Sequence, residues 1–382
     1  MTLQKRTRVV CGMSGGVDSS TTAALLVEQG YDVIGVTLKL WKQDCFSSNE
    51  DLFKCCGAKA ADDVRAVCDH LGIPFHLIDE AEEFQKQVVS RFAAEYKAGR
   101  TPNPCILCNE HLKFGTLLRR ADQFGAQYVA TGHYARVEFF PLTNGRAELP
   151  LGQDAQQRVP TEGRYLLKRG RDPRKDQSYF LFSLRQDQLS RALFPVGDQT
   201  KSDTRIAARH RQLKTAEKKE SMEICFVPDK NYGRFLQQAN LVQKHRGEIV
   251  DLHGHALGHH DGVEFYTIGQ RKGLGISSPK PLYVINLDAE NNRVIVGDDS
   301  ALDRDEFVVD RCNWISFDDL SAPIEATVKI RYNHPGTAAT VTPSGNGSAK
   351  VKLHTAQRAI TPGQAAVFYQ DDLVVGGGWI CR

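Results

Sequence analysis

Residues 8–20 read RVVCGMSGGVDSS, and this stretch determines how the fold begins. The apolar run at its start is typical of a short buried strand. Residues 19–29 then have helical spacing, and Gly30 is placed to end the helix. Residues 32–40 form a second buried-strand pattern. The sequence therefore predicts a strand–loop–helix–strand unit with two adjacent glycines in the loop.

The glycine loop has the composition of a phosphate site. Glycines let backbone N–H groups close around an anion, and the start of the following helix adds partial positive charge. Ser14, Ser19 and Ser20 supply hydroxyl donors beside the glycine pair. An ordinary tight turn is the alternative interpretation, and the strand-to-helix context disfavours it.

The loop lacks the lysine that follows the glycines of a Walker A motif and promotes γ-phosphoryl transfer. Its sequence SGGVDS, residues 14–19, instead resembles the PP-loop of the ATP pyrophosphatase superfamily. That resemblance implies a loop that grips pyrophosphate while a substrate oxygen attacks the α-phosphorus and becomes adenylated.

Strand and helix patterns alternate through the N-terminal part of the chain. Helical patterns cover 58–71, 81–99 and 109–124, and strand patterns cover 74–78 and 127–134. Such alternation predicts an α/β doubly wound parallel sheet with ligands at the carboxyl ends of its strands.

The sequence pattern changes again in the remaining chain. Residues 139–163 lose periodicity and read as a surface insertion, and residues 176–245 read as mostly helical. Short alternating runs separated by turns begin near residue 247 and predict a C-terminal antiparallel β-barrel. The predicted domains are a catalytic domain at 1–208, a small central domain at 209–280 and the barrel at 281–382.

Composition indicates a globular cytoplasmic protein. Hydrophobic residues make up 41% and charged residues 25%, and no apolar run is long enough to span a membrane. The net charge of +3 says little by itself. Two basic runs, 168–175 and 205–219, are either solvated surface or contacts to nucleic-acid phosphates.

Cysteines form one suggestive pattern. Cys105 and Cys108 are spaced C-x-x-C directly before a helical pattern, where the helix N-terminus favours the thiolate. Cys225 lies far along the chain in SMEICFVPD. Paired cysteines in a cytosolic chain indicate metal, cluster or redox chemistry rather than a disulfide framework. We assign the other cysteines to packing: Cys11, Cys45, Cys55, Cys56, Cys68, Cys312 and Cys381.

Five motifs together resemble the tRNA-specific 2-thiouridylases. They are SGGVDS, TPNPCILCNEHLKFG at 101–115, SMEICFVPD at 221–229, YTIGQRKGLGI at 266–276 and GGGWI at 376–380. The resemblance spans residues 8–382. It implies an ATP- and Mg²⁺-dependent sulfurtransferase that adenylates the C2 carbonyl oxygen of the wobble uridine and replaces that oxygen with sulfur. Its implied partners are the anticodon arms of Lys, Glu and Gln tRNAs and a sulfur donor or relay protein.

The resemblance also implies roles for individual residues. ATP phosphates would be held by Gly12, Met13, Ser14, Gly15, Gly16, Val17, Asp18 and Ser19, and the adenosine would be lined by Leu38 and Gly132. The target base would meet Asn103, Pro104 and Cys105. Other tRNA contacts would come from His133, Lys175, Asp176, Gln177, Arg331, Tyr332 and Gln364. Without the resemblance, each of these tRNA contacts has an ordinary interpretation as a cap, a turn or a barrel surface.

The sulfur chemistry leaves alternatives open. The family pattern implies a persulfide on Cys225 and a disulfide-forming partner in Cys108. Known members carry aspartate where this chain has Cys105, so the chain offers three thiols and lacks that acid. Three thiolates can hold a [4Fe–4S] cluster with one open iron, and we favour a cluster on Cys105, Cys108 and Cys225 over the persulfide route or a zinc site.

Two other functions fit parts of the sequence. A small-molecule synthetase with the same loop would need neither Cys108 nor tRNA. An RNA-binding protein with a metal site at the C-x-x-C pair would need no ATP turnover.

Overall fold

The computed structural model describes residues 6–41, 58–141, 163–220, 224–227 and 229–381. Its strands are β1 (Arg8–Gly12), β2 (Asp32–Lys39), β3 (Phe75–Asp79), β4 (Tyr128–Thr131), β5 (Ala135–Pro141), β6 (Gly163–Arg169), β7 (Ala192–Leu193), β8 (Gly247–Val250), β9 (Ala256–His260), β10 (Tyr283–Asp288), β11 (Arg293–Gly297), β12 (Asp303–Trp314), β13 (Ile324–Lys329), β14 (Thr337–Pro343), β15 (Ala349–Arg358), β16 (Ala365–Gln370) and β17 (Leu373–Ile380).

The α-helices are α1 (Val17–Glu28), α2 (Ala58–Leu71), α3 (Ala81–Phe84), α4 (Ser90–Lys97), α5 (Pro104–Leu107), α6 (Leu117–Gln123), α7 (Gln186–Leu189), α8 (Lys201–His210) and α9 (Tyr232–Gln238). Two π-helical segments, Gln85–Val89 and Cys108–Thr116, join α3 to α4 and α5 to α6. Short 3₁₀ turns occupy Ser178–Leu181, Val263–Phe265 and Asp299–Leu302.

The N-terminal sheet is parallel and has the order β3–β2–β1–β4–β7. Strand β1 is central because its apolar residues Val9, Val10 and Cys11 are fully buried. Strand β2 lies on one side of β1 and β4 lies on the other, so the order of the strands reverses at β1. The loops that follow β1 and β4 therefore border one crevice at the carboxyl edge of the sheet. The predicted doubly wound α/β fold is confirmed.

The helix that carries the C-x-x-C pair begins earlier than predicted. The pattern placed its start at residue 109, whereas α5, the π-helical segment and α6 run together from Pro104 to Gln123. Proline fits the first turn of a helix because its missing N–H has no intrahelical role there. Cys105 therefore lies in the first turn, and Cys108 begins the π-helical segment.

Residues 176–245 contain less helix than predicted. Within the described part of this range, helices cover α7, α8, α9 and the turn Ser178–Leu181, and other segments are turns. The sequence FPVG at 194–197 interrupts the pattern. Gly197 approaches the carbonyl of Ala135 so closely that a side chain would clash with it.

Two further sheets follow. One has the order β10–β11–β8–β9, so β10 and β11 pair with β8 and β9 and not with the barrel strands, although both lie in the range 281–382 that was predicted as barrel. The C-terminal sheet runs β12–β15–β14–β13–β16–β17 and closes through pairing of β12 with β17. This closed antiparallel barrel confirms the prediction for the C-terminal fold.

The predicted insertion at 139–163 is partly a hairpin. Residues up to Pro141 and from Gly163 onward belong to β5 and β6, which pair in antiparallel register. Strand β6 also pairs with β17 through Lys168 and Leu373, so the hairpin extends the barrel sheet. Residues 142–162 lie outside the described residues, as do Cys45, Cys55 and Cys56.

In the described ranges, no helix has both the length and the apolar character needed to cross a membrane.

Candidate active site

The glycine loop connects β1 to α1 in a conformation that requires glycine. Gly15 has φ +73°, and a Cβ there would lie 2.9 Å from the carbonyl oxygen of Ala60. Gly16 precedes α1, and no side chain caps it among the described residues. The first N–H groups of α1 have no intrahelical acceptors, so the loop has the geometry of an anion site.

Strands β2 and β4 hold this loop from both sides. Thr37 in β2 donates its hydroxyl to the carbonyl of Met13 at 2.9 Å. After β4, a Cβ on Gly132 would lie 2.7 Å from the backbone nitrogen of Ser19 and 2.8 Å from the carbonyl carbon of Asp18. Leu38 is half-buried near the end of β2. The structure thus brings the predicted ATP residues to the same crevice of the sheet.

Asp18 is the centre of a charged cluster that the sequence did not reveal. The ammonium of Lys201 lies 2.6 and 2.8 Å from its two carboxylate oxygens, and the hydroxyl of Tyr134 donates to it at 2.8 Å. Lys201 also pairs with Glu220 at 3.0 Å, and Glu220 pairs with Lys175 at 2.6 Å. We call Asp18, Lys201, Glu220 and Lys175 the charged cluster.

Protonation equilibria in the cluster follow its geometry. Burial opposes ionisation of Glu220, but hydrogen bonds from Lys175 and Lys201 outweigh it and lower the pKa of that carboxyl. Burial, and then the Asp18 carboxylate, raises the pKa of the Tyr134 phenol. Tyr134 therefore stays protonated and acts as a donor to Asp18.

The loop predicted to meet the target base is held by the C-terminal barrel. Gln364 donates its amide to the carbonyl of Thr101 at 2.9 Å and to that of Pro102 at 3.4 Å. The backbone N–H of Thr101 donates to the carbonyl of Pro362 at 2.8 Å. Asn103 then stands at the N-cap position of α5. Gln364 thus orders this loop through contacts within the protein.

Cys108 and Cys225 are half-buried and pack against the same hydrophobic core. The residue after Cys225, Phe226, is 2% exposed and anchors its segment. The Phe226 ring centroid lies 5.1 to 6.0 Å from those of four other rings: Trp41, Phe84, Phe92 and Phe235. Two of the three predicted sulfur-handling cysteines therefore border one hydrophobic core.

The hypothesis of a metal or cluster site is not supported by the described residues. Within them, no group of three or more His, Cys, Asp or Glu side chains is arranged to hold a metal ion. Cys105, Cys108 and Cys225 are thus not assembled as a ligand set in this structure. Elsewhere, Cys11 and Cys68 are buried, and Cys312 and Cys381 are half-buried.

His133, predicted to contact tRNA, is 8% exposed and lies between Phe114 and Phe194. Its Nδ1 lies 2.6 Å from the Thr131 hydroxyl and its Nε2 lies 3.4 Å from the Lys113 ammonium. An ammonium can only donate, so Nε2 accepts and Nδ1 carries the proton. Burial, and then Lys113, holds the pKa of His133 well below its usual value.

The other predicted tRNA residues have mixed environments. Asp176 is buried and accepts from the N–H groups of Gly170 and Ser178, and Gln177 accepts from the N–H of Tyr134. Tyr332 lies against Phe180, with ring centroids 4.4 Å apart. The exposed member of this set is Arg331. The predicted roles in tRNA binding remain predictions.

Lys201 and Glu220 carry no local sequence signal for this site. Lys201 is the first residue of α8, which begins with a capping box between Thr200 and Asp203. That pattern predicts where the helix starts and says nothing about what the lysine reaches.

Three family models match consecutive parts of the chain. A family model described as the tRNA methyl transferase HUP domain matches residues 7–229. The tRNA methyl transferase PRC-barrel domain matches 233–298, and the aminomethyltransferase beta-barrel domain matches 304–380.

Full-length relatives carry a different name from these domain models. The tRNA-specific 2-thiouridylase MnmA of Acidobacterium capsulatum is 46% identical over 97% of this chain and 98% of its own length. The tRNA-specific 2-thiouridylase MnmA 1 of Caldanaerobacter subterraneus is 46% identical over 99% of each chain. A solved 4-thiouridine synthetase–RNA complex with bound ATP is 15% identical, covers 61% of this chain and 50% of its own, and has a TM-score of 0.32, too low to carry an argument.

The domain models are named after methyltransferases, whereas the relatives that match over nearly their whole length are 2-thiouridylases. The full-length match is the more specific of the two. The chain belongs to the family of tRNA-specific 2-thiouridylases of the MnmA type.

Proposed function

We propose that this protein is an ATP-dependent sulfurtransferase that converts the wobble uridine of tRNA to 2-thiouridine. One observation carries the proposal: a continuous path of contacts joins the cysteine helix to the glycine loop. Lys113, on the helical run that includes Cys108, contacts His133, and the preceding Gly132 packs against Ser19 of the loop. Family membership supports the same activity.

The first step is adenylation of the target base. The C2 oxygen of uridine attacks the α-phosphorus of MgATP, the bond to the bridging oxygen breaks, and pyrophosphate leaves. Backbone N–H groups of the loop and the start of α1 bind the phosphates. Mg²⁺ would arrive bound to ATP and neutralise phosphate charge, and Asp18 at the start of α1 is the loop residue that would hold it. A carbonyl oxygen is a poor leaving group, and adenylation converts it into part of AMP.

The second step transfers sulfur. The terminal sulfur of a Cys225 persulfide attacks C2 and AMP leaves, which gives a C2–S–S–Cys225 adduct. The Cys108 thiolate then attacks the Cys225 sulfur and releases the thiocarbonyl, and a Cys108–Cys225 disulfide forms. A dithiol reductant regenerates the thiols, and a sulfur donor protein restores the persulfide. This route uses thiols alone; among the residues that the structure describes, no group of three or more His, Cys, Asp or Glu side chains is arranged to hold a metal ion.

The chain's substrate would be the anticodon arm of tRNAs for Lys, Glu and Gln, in the cytoplasm. A loop base is comparatively easy to unstack, so it can reach the crevice between the glycine loop and the cysteine helix. Phosphate contacts from basic side chains should make binding fall as salt rises.

The test separates the two steps. Wild-type protein, a tRNA transcript, ATP and a persulfide donor should yield 2-thiouridine and pyrophosphate. Cys108→Ala and Cys225→Ala should abolish thiolation and retain tRNA-dependent ATP–pyrophosphate exchange, because adenylation needs the loop and not the thiols. Cys312→Ala, at a half-buried cysteine of the barrel, is the matched control and should retain both activities.

Three outcomes would overturn the proposal. Pyrophosphate release that needs a small molecule and no tRNA would indicate a synthetase. tRNA binding without any ATP turnover would indicate a binding protein. Loss of adenylation in both cysteine variants would contradict the division of the two steps.

A further inference from the structure

The strongest unassigned feature of the molecule is Lys201. Its side chain is only 10% exposed, and its ammonium lies within 3.0 Å of three carboxylate oxygens, two from Asp18 and one from Glu220. It also lies 5.6 Å from the ring centroid of Tyr134. An ammonium has three protons to donate, so these oxygens account for all of them.

The backbone around Lys201 is fixed independently of its side chain. The N–H of Lys201 donates to the Asp172 carboxylate at 3.1 Å, and Thr200 exchanges hydrogen bonds with Asp203 to cap α8. Asp172 is itself buried. The ammonium is therefore delivered to Asp18 by a rigid element and not by a mobile surface chain.

Burying a lysine is costly unless its charge is compensated, and the chain places this one beside a loop built to bind phosphates. The same loop lacks the lysine that other phosphate loops carry within their own sequence. Asp18 stands at the start of α1, next to the N–H groups that face an anion. A phosphate oxygen of bound ATP would reach the ammonium by replacing one carboxylate oxygen.

We infer that Lys201 is a catalytic residue that binds the β- and γ-phosphates of ATP and stabilises the pyrophosphate leaving group. The inference rests on the proposed function, since it assigns a role within the adenylation step. When the bond between the α-phosphorus and the bridging oxygen breaks, negative charge grows on the departing pyrophosphate. A fixed ammonium stabilises that charge more than it stabilises bound ATP, which lowers the barrier. Asp18 and Glu220 hold the ammonium in place before ATP arrives.

A purely structural role makes a different prediction. If Lys201 only neutralises Asp18, its loss should disturb the loop for every nucleotide alike. If it binds the leaving phosphates, its loss should weaken the binding of ATP and pyrophosphate. The binding of AMP, which lacks those groups, should not change.

The experiment measures binding of ATP, AMP and pyrophosphate by calorimetry without tRNA, in the full-length protein. We expect Lys201→Met to lower the affinity for ATP and for pyrophosphate at least about tenfold. The affinity for AMP should stay within about twofold of the wild-type value. Lys352→Met, which removes an ion-paired lysine on β15 of the barrel, is the matched control and should change none of the three. Equal weakening of ATP and AMP, or no weakening of either, would overturn the inference.

A second variant decides the question if Lys201→Met does not fold. Lys201→Arg keeps the charge and the pairing with Asp18, so a structural role predicts wild-type ATP–pyrophosphate exchange. A role on the leaving group predicts a fall in the exchange rate of about tenfold or more, because the planar guanidinium can keep its pairing with Asp18 but spreads its charge and directs its N–H groups differently from the compact ammonium. Wild-type exchange in the arginine variant would overturn the inference. Thiolation by the wild type tests the proposed function separately, and its absence would not change the ATP-to-AMP comparison.

Discussion

The amide nitrogen of Gln364, just before β16, lies 2.9 Å from the carbonyl oxygen of Thr101, at the start of the loop that is predicted to meet the target base. Gly363 approaches the same loop, since its Cβ would lie 3.0 Å from the backbone nitrogen of Thr101. The C-terminal barrel therefore holds the loop that we predict to meet the target base. A residue first expected to touch tRNA has an evident role in positioning.

We expect Gln364→Met to slow single-turnover thiolation about tenfold while tRNA affinity stays within about twofold of wild type. The variant removes both hydrogen bonds to the loop, and one such bond is worth about 1 kcal/mol. Gln370→Met is the matched control, because Gln370 makes a similar amide-to-carbonyl bond elsewhere on the barrel. Loss of tRNA affinity as large as the loss of rate would instead make Gln364 a direct tRNA contact.

The glycine loop gives a second prediction. Gly15→Ala should abolish measurable ATP binding and lower stability by more than about 2 kcal/mol, because it combines a left-handed φ with a 2.9 Å contact to Ala60. Gly30→Ala is the control for φ alone, since Gly30 has φ +84° and no neighbour within 4 Å. It should cost about 1 kcal/mol and leave ATP binding intact. Calorimetry and thermal unfolding measure both effects, and equal losses in the two variants would contradict the steric argument.

His133 predicts how stability depends on pH. Its folded-state pKa lies well below its usual value, so the unfolded chain binds a proton that the folded chain does not. The stability contributed by the neutral ring is complete above about pH 6.5 and is lost as pH falls below it, by at most about 1.4 kcal/mol per pH unit.

We expect His133→Gln to flatten the pH dependence of unfolding between about pH 6.5 and 5, measured by urea titration at each pH. The control is His253→Gln, at an exposed histidine of the central domain, which should leave the slope unchanged. Buried His260 and His334 also have lowered pKa values, chiefly because of burial, so a residual slope should remain. An unchanged slope in the His133 variant would contradict the neutral buried ring.

Local patterns predicted the glycine loop and its flanking elements better than the long-range contacts around them. Strand β1, its loop and α1 were predictable to within two residues because strand, glycine and helix signals lie side by side in the sequence. The Asp18–Lys201 pair joins residues 183 positions apart, and no periodicity reports such a contact. The pairing of β6 with β17 is likewise invisible, since each strand shows only its own alternation. The helical prediction for residues 176–245 was wrong around FPVG, residues 194–197. Proline and glycine interrupt a helix even where the surrounding polar pattern suits one.

The last prediction concerns Cys105 and iron. Because the described residues do not gather Cys105, Cys108 and Cys225 into a metal site, we expect protein purified without oxygen to thiolate tRNA with far less than one iron per chain. Cys105→Asp should keep that activity, since the sulfur transfer that we propose uses Cys108 and Cys225 and an acid is favourable in the first turn of α5.

Iron, labile sulfide and 2-thiouridine should be measured in wild type and Cys105→Asp side by side, with Cys381→Ala as a half-buried cysteine control. Treatment with an iron chelator should leave the wild-type rate unchanged. About four irons per chain, lost together with activity in Cys105→Asp but retained in Cys381→Ala, would show that the three thiols assemble around a [4Fe–4S] cluster and that the thiol-only route is wrong. If the wild type contains no iron and Cys105→Asp nevertheless loses activity, Cys105 itself takes part in sulfur transfer. The aspartate preserves the helix start but carries no sulfur.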